Sequence, residues 1–155
     1  IYVFNGELHN CSGFSTAGFG IQLGSSNSVV YSSIGKSTAN NGFNLATSSR
    51  AFNCYAESSA NAGVRFVGAG VFTNGVAKST GTSIFAQAVF CNVSGAEVTN
   101  CDLIVTTASN NCISGNALKT AKLANNTYKG STVAVNANIT NSVTNTQDNQ
   151  GNILI

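Results

Sequence analysis

The chain repeats itself. Successive blocks read VVYSSIGKSTANNGFNLATSS from Val29, AFNCYAESSANAGVRFVGAG from Ala51, VFTNGVAKSTGTSIFAQ from Val71 and VFCNVSGAEVTNCDLIVTTASNN from Val89, with starts 22, 20 and 18 residues apart. Each opens on an apolar pair (Val29-Val30, Ala51-Phe52, Val71-Phe72, Val89-Phe90) and reaches a second apolar cluster after a polar stretch. Those clusters are Phe43 and Leu45, Val64 and Phe66, Ile84, and Leu103 with Val105. The segment LHNCSGFSTAGFGIQLGSSN from Leu8 fits the same template, with Phe19, Ile21 and Leu23 as its second cluster, and makes five coils. A unit of about 20 residues with two short alternating apolar runs cannot bury its own face, so its neighbours must cover it. Stacked coils of a parallel β-helix do this. Equivalent strands lie about 4.8 Å apart, and each coil satisfies the backbone of the next.

Composition agrees. The chain has 155 residues, the size of one domain, and holds 22 Asn, 19 Ser, 15 Thr and 16 Gly but no Pro, Met or Trp. Helix formers are scarce, and Asn and Gly supply corners. Charged residues make up 8%, yet the 43% hydrophobic content is too high for a disordered chain. A net charge of +2 offers no basic field for a nucleic-acid backbone, and no apolar run approaches the roughly 20 residues of a membrane span. The five cysteines (Cys11, Cys54, Cys91, Cys101, Cys112) are odd in number and show no CxxC spacing. They read as free, mostly buried thiols, which favours synthesis in a reducing cytosol.

The expected fold is therefore all-β, a right-handed parallel β-helix of five to six coils of 18–22 residues. It spans residues 1–131, with residues 132–155 as a C-terminal strand segment for oligomerisation. Beyond Cys112 the period loosens. Residues from Cys112 to Thr132 fit a sixth, imperfect coil, with Leu118, Ala121 and Lys122 alternatively forming a short helical turn. Val133, Val135, Ala137 and Ile139 then alternate as in a half-buried strand, and Ile153, Leu154 and Ile155 call for a partner. The opening IYVFNG carries neither an initiator Met nor a cap, and reads as cut from a longer helix.

Blocks such as SSANAGVRFVGAG and STANNGFNLATSS carry a small-polar, Gly, apolar-x-apolar rhythm over about Leu8 to Val105. In this the chain resembles the β-helical tailspikes and tail fibres of bacteriophages and, more loosely, the pectate-lyase-like right-handed β-helix superfamily. The resemblance implies a homotrimer on the virion, made in the bacterial cytoplasm, that recognises a bacterial surface polysaccharide and often cleaves it. It names neither glycan nor host.

Glycoside cleavage commonly uses two carboxylates. The chain offers Glu7, Glu57, Glu97, Asp102 and Asp148. Lys36, Glu57, Lys78 and Glu97 each lie six or seven residues before a second apolar cluster. That offset predicts one column of alternating charge, the pattern of paired surface side chains. Glu57, Glu97 and Asp102 are the catalytic candidates, although two coils between Glu57 and Glu97 mean roughly 10 Å, near the long limit for an inverting pair. Tyr31 and Tyr55 are candidate sugar platforms, their flat rings suited to a pyranose face. Arg50 and Arg65 are candidates for an acidic sugar, Arg65 alternatively serving as an external charge beside Glu57.

His9 is the only histidine, and no GxSxG elbow accompanies it. Glu7, His9 and Cys11 share a strand face but lack a patterned fourth zinc ligand; no metal and no cofactor is expected. Lys119, Lys122 and Lys129 read either as a cluster for acidic glycan or as a solvated face. Three functions remain: a structural and receptor-binding piece of a trimeric tailspike, a polysaccharide hydrolase or lyase, and an adhesin or ice-binding solenoid. The last would need a threonine column, for which only Thr80 and Thr82 have the spacing.

Overall fold

A computed structural model describes residues 1–24, 27–107, 110–131, 134–141 and 153–154. Among them no helix forms, and all pairing between named strands is parallel. Three sheets wrap a common core as six turns of a β-solenoid. The first contains Tyr2–Val3, Ile21–Leu23, Phe43–Leu45, Val64–Phe66, Val89–Cys91 and Ile113–Ser114. The second runs Glu7–His9, Val29–Tyr31, Arg50–Phe52, Val71–Thr73, Ala96–Thr99, Lys119–Ala124 and Ile139–Asn141. The third runs Ser12–Ser15, Ile34–Ser37, Tyr55–Ser58, Val76–Ser79, Asp102–Val105, Thr127–Lys129 and Ile153–Leu154.

Each coil thus has three strands, not the two runs visible in the sequence. The Gly–apolar–x–apolar rhythm is the first sheet: Ile21 and Leu23, Phe43 and Leu45, Val64 and Phe66 all point inward and are fully buried. The glycine before each strand answers a close approach. A Cβ on Gly42 would lie 2.5 Å from the Glu57 backbone nitrogen, and one on Gly63 would lie 2.7 Å from that of Lys78. Val30, Ala51, Phe72, Val98 and Leu123 fill the second sheet's inner column. The third sheet's inner column grows along the axis: Gly13, Gly35, Ala56, Ala77, Leu103, Tyr128. On the third sheet the step is 21 residues from Tyr55 to Val76 but 26 from Val76 to Asp102, and four of the five added residues lie in the turn of residues 80–88.

The corner between the second and third sheets is two residues long in every complete coil. Its first residue is Asn10, Ser32, Asn53, Asn74, Asn100 or Asn125, each left-handed with φ between 47° and 55°. Asparagine tolerates that region better than other side-chain-bearing residues. The second residue turns inward to mend the ladder. The Cys54 and Cys101 thiols donate to the carbonyls of Phe52 and Thr99 at 3.1 Å. Asn126 accepts from the Cys101 N–H at 3.0 Å and donates to the Val98 carbonyl at 2.8 Å. All five cysteines are free and four are buried. Burial pushes the Cys91 thiol up to about 12, and those of Cys101 and Cys112 to about 11.

Three expectations change. Val89-Phe90 is not the equivalent of Val71-Phe72; it opens a first-sheet strand, and the second-sheet partner of Val71 is Glu97. Ile84 is not core but 78% exposed, because residues 80–88 form a nine-residue turn where the earlier coils use five. Lys119–Ala124 is a strand and not a helical turn. Of the segment 132–155, Ile139–Asn141 continues the second sheet and Ile153–Leu154 the third. Val133, Ile155 and Asp148 lie outside the described residues.

Candidate functional site

The second and third sheets each present two outward columns and the first presents one, and the sequence candidates fall on all three walls. On the third wall Phe14, Lys36, Glu57, Lys78, Ile104 and Lys129 stand in one column. Glu57 lies 2.9 Å from Lys36 Nζ and 3.3 Å from Lys78 Nζ, and accepts from the Tyr55 hydroxyl at 3.1 Å. Partial burial pushes its pKa up, but the bonds from Lys36, Tyr55 and Lys78 outweigh this and hold it below the ordinary 4.5. Such a carboxylate stays ionised at neutral pH and is a poor general acid. The ladder of opposite charge therefore forms over Lys36, Glu57 and Lys78.

Glu97 does not continue it. It lies on the second wall beside Lys122, at 2.8 Å, because the nine-residue turn displaces the register by which the sequence was aligned. Asp102 shares the third wall with Glu57, but two strands away and two residues along. Strand geometry puts their Cα positions about 12 Å apart, and each carboxylate meets lysines of its own rather than the other acid. Asp102 is also 3.3 Å from Lys129 Nζ. The three carboxylates are not brought together in one chain, and Lys122 and Lys129 are engaged on two different walls.

The tyrosines are engaged as well. On the second wall His9, Tyr31 and Phe52 stack along the axis with ring centroids 4.7 and 5.3 Å apart. Neighbouring coils cover both faces of Tyr31, leaving an edge to solvent. His9 also meets Glu7 at 3.2 Å. Below the rings the column becomes Thr73 and Thr99, whose hydroxyls bond at 2.8 Å. Tyr55 has the Lys36 ammonium 5.1 Å from its ring centroid. Arg50 lies in a shallow groove with Ser49, Val71 and Glu97.

The first wall differs. Its outward column runs Gln22, Asn44, Arg65, Phe90, Ser114. The turn of residues 80–88 rises beside it, held by Asn110 of the following coil, which donates to the carbonyls of Ser83 at 3.2 Å and Ala86 at 3.0 Å. Between turn and wall is a cleft of about 210 Å³ lined by Asn41, Asn61, Ala62, Arg65, Phe85, Phe90 and Asn116. Arg65 is thus on the opposite side of its coil's corner from Glu57 and does not serve it. Its Nε is buried without a hydrogen-bond partner, as are Asn44 Oδ1 and Gln87 Oε1. Of the residues lining this cleft, only Arg65 is among the candidates that the sequence offers. The usable signal was the break in period at TGTSIFAQA, where two bulky apolar residues, Ile84 and Phe85, stand outside the alternating strand pattern.

The fold is a parallel β-solenoid, compatible with the β-helix superfamily. Comparisons with protein-family models, curated proteins and solved structures give no match.

Proposed function

We propose that this chain is a shaft segment of a trimeric virion tailspike or tail fibre that binds a bacterial surface polysaccharide, with the Arg65 cleft as its glycan site. The solenoid supports the shaft reading, since a stack of coils is a stiff, extensible rod whose backbone bonds run along its length. One observation carries the binding reading: an arginine with no ion-pair partner lines a cleft together with Phe85 and Phe90, and the other polar side chains of the cleft are amides. Aromatic faces against the apolar side of a pyranose, with amides for its hydroxyls, are the means by which proteins hold sugars. Residues 132–155 serve as the trimerisation segment in this reading, and the chain folds in the bacterial cytoplasm before assembly on the phage tail.

Binding without cleavage is favoured over a depolymerase. Glu57, Glu97 and Asp102 each face a lysine and lie on separate stretches of wall. Light scattering behind a sizing column tests the assembly: three times the 15.8 kDa of one chain is expected, and a monomer at micromolar concentration sinks the trimer. Binding to bacterial surface glycans, compared between the native chain and Phe85→Ala, tests the site. Equal retention by both removes the cleft from the reading.

A further inference from the structure

We propose that Asn74–Gly75 is a site of spontaneous covalent modification, where the asparagine loses ammonia and the main chain re-forms as isoaspartate. Six two-residue corners join the second sheet to the third, each with a left-handed first residue. In five of them the second residue carries a side chain: Cys11, Ser33, Cys54, Cys101 and Asn126. Only Asn74 is followed by glycine. A peptide nitrogen next to a residue without Cβ is the least hindered nucleophile the backbone offers, and it is already held beside the asparagine amide.

The step is balanced by solvent alone. The Gly75 nitrogen attacks Asn74 Cγ, a C–N bond forms, the Cγ–Nδ2 bond breaks, and Nδ2 leaves as ammonia with the proton of the Gly75 N–H. Water then opens the five-membered imide. Attack at Cγ returns aspartate; attack at the Asn74 main-chain carbonyl leaves the chain running through Cβ and Cγ, as isoaspartate. Either product lowers the formal net charge of +2 by one.

The chain has two other Asn-Gly steps, and the structure separates the three. Asn41 is 3% exposed. Its Oδ1 accepts from the Ala62 N–H at 3.2 Å, its Nδ2 donates to Asn40 Oδ1 at 3.0 Å, and the Gly42 N–H donates to the Ala62 carbonyl at 3.3 Å. Amide and nucleophile are both tied. Asn74 is exposed on an open groove of about 410 Å³ shared with Asn100 and Asn125. Among the described residues neither its side-chain amide nor the Gly75 N–H makes a hydrogen bond. Asn5–Gly6 lies in the corner between the first and second sheets, whose length varies from three to five residues, so an added atom there is absorbed.

At Asn74 it is not. Isoaspartate puts one more atom into a corner pinned on all sides. The Asn74 N–H donates to the Thr99 carbonyl at 3.1 Å, the Val76 N–H to the Cys54 carbonyl at 2.9 Å, and the Asp102 N–H to the Gly75 carbonyl at 3.0 Å. The longer chain cannot keep all three and stay in register. Conversion is therefore a slow, one-way event that loosens the solenoid near its middle.

The full chain, aged for several weeks in mildly alkaline buffer, tests this by intact mass, by peptide mapping that distinguishes isoaspartate from aspartate, and by thermal melting. Residue 74 is expected to convert at least tenfold faster than residue 41, and the melting temperature to fall by several degrees as it does. Asn74→Ser, which places there the residue the fold already holds at Ser32 with φ 47°, should melt at an unchanged temperature before and after ageing; Asn74→Gly provides a second such variant. Ageing in denaturant gives the rate of each step in the unfolded chain. Equal conversion of residues 41 and 74 in the folded chain, or none at residue 74 while the unfolded chain converts, overturns the site. Conversion at residue 74 with no change in melting temperature overturns the loosening.

Discussion

Two corners of the same coil behave differently. Between the second and third sheets the chain always turns in two residues, with a left-handed first residue and an inward second one. Between the third and first sheets it takes five residues in the first three coils, nine at residues 80–88 and seven at residues 106–112. The short corner is held by the backbone ladder on both sides, so its length fixes which face every later side chain takes. The long corner is free of that constraint. Residues added there project from the wall, where they enclose a cleft without moving the core. Variation that would ruin the solenoid at one corner builds a site at the other.

The sharpest way to break this comparison is to lengthen each corner by one residue. An Ala inserted between Asn53 and Cys54 is expected to abolish cooperative thermal unfolding, because it puts every following strand out of phase with its neighbours. A Gly inserted between Thr82 and Ser83 should change stability by well under 1 kcal/mol, since loop entropy grows only slowly with length. Matching melting curves for the two insertions would end the distinction.

Asn126→Leu probes the inward position of the short corner. It keeps the volume but strands the buried Cys101 N–H and Val98 carbonyl, and should cost about 3 kcal/mol in denaturant unfolding. A loss below about 1 kcal/mol would mean that water replaces the amide.

Asn100 probes the left-handed position, at φ 55°. Asn100→Ala should cost about 1 kcal/mol while Asn100→Gly is near neutral or better. Equal losses would show that the side chain, and not the backbone angle, matters there.

The wall charges should matter least. Glu57→Gln is expected to cost at most about 1 kcal/mol at neutral pH, as partly exposed ion pairs do. Its pH dependence has a definite sign. The folded pKa lies below the ordinary 4.5, so the contribution is complete above 4.5 and is lost as the pH falls through the folded value. The variant should therefore lose less stability on acidification than the native chain; identical acid titrations would show that Lys36 and Lys78 do not hold the carboxylate.

Much of this was legible in the sequence. Val64 and Phe66, or Phe43 and Leu45, alternate after a glycine because a first-sheet strand must bury two side chains and begin against a neighbouring backbone. The pairing of Lys36, Glu57 and Lys78 was legible for the same reason, a constant period carrying like positions onto one column. The dipeptides Asn10-Cys11, Asn53-Cys54 and Asn100-Cys101 also mark one corner, the left-handed asparagine leading each of them.

The errors of register have one cause. Apolar pairs look alike wherever they fall, so once the turn at residues 80–88 lengthened, Val89-Phe90 was matched to the wrong sheet, and Glu97 was carried into a column it does not join. The stacking of Tyr31 between His9 and Phe52 lay outside the reach of periodicity for another reason: whether a ring shows its face or its edge depends on what stacks above and below it. Periodicity by itself determined that the chain is a stack of coils with glycine-led strands and asparagine corners, because a short repeat has no other way to bury its apolar face. Which wall each charge occupies, and that Arg65, Phe85 and Phe90 meet in a cleft while Glu57, Glu97 and Asp102 stay apart, was decided only in three dimensions. Which residues stand side by side is set by strand pairing, and a lengthened turn changes their spacing along the chain without changing that pairing.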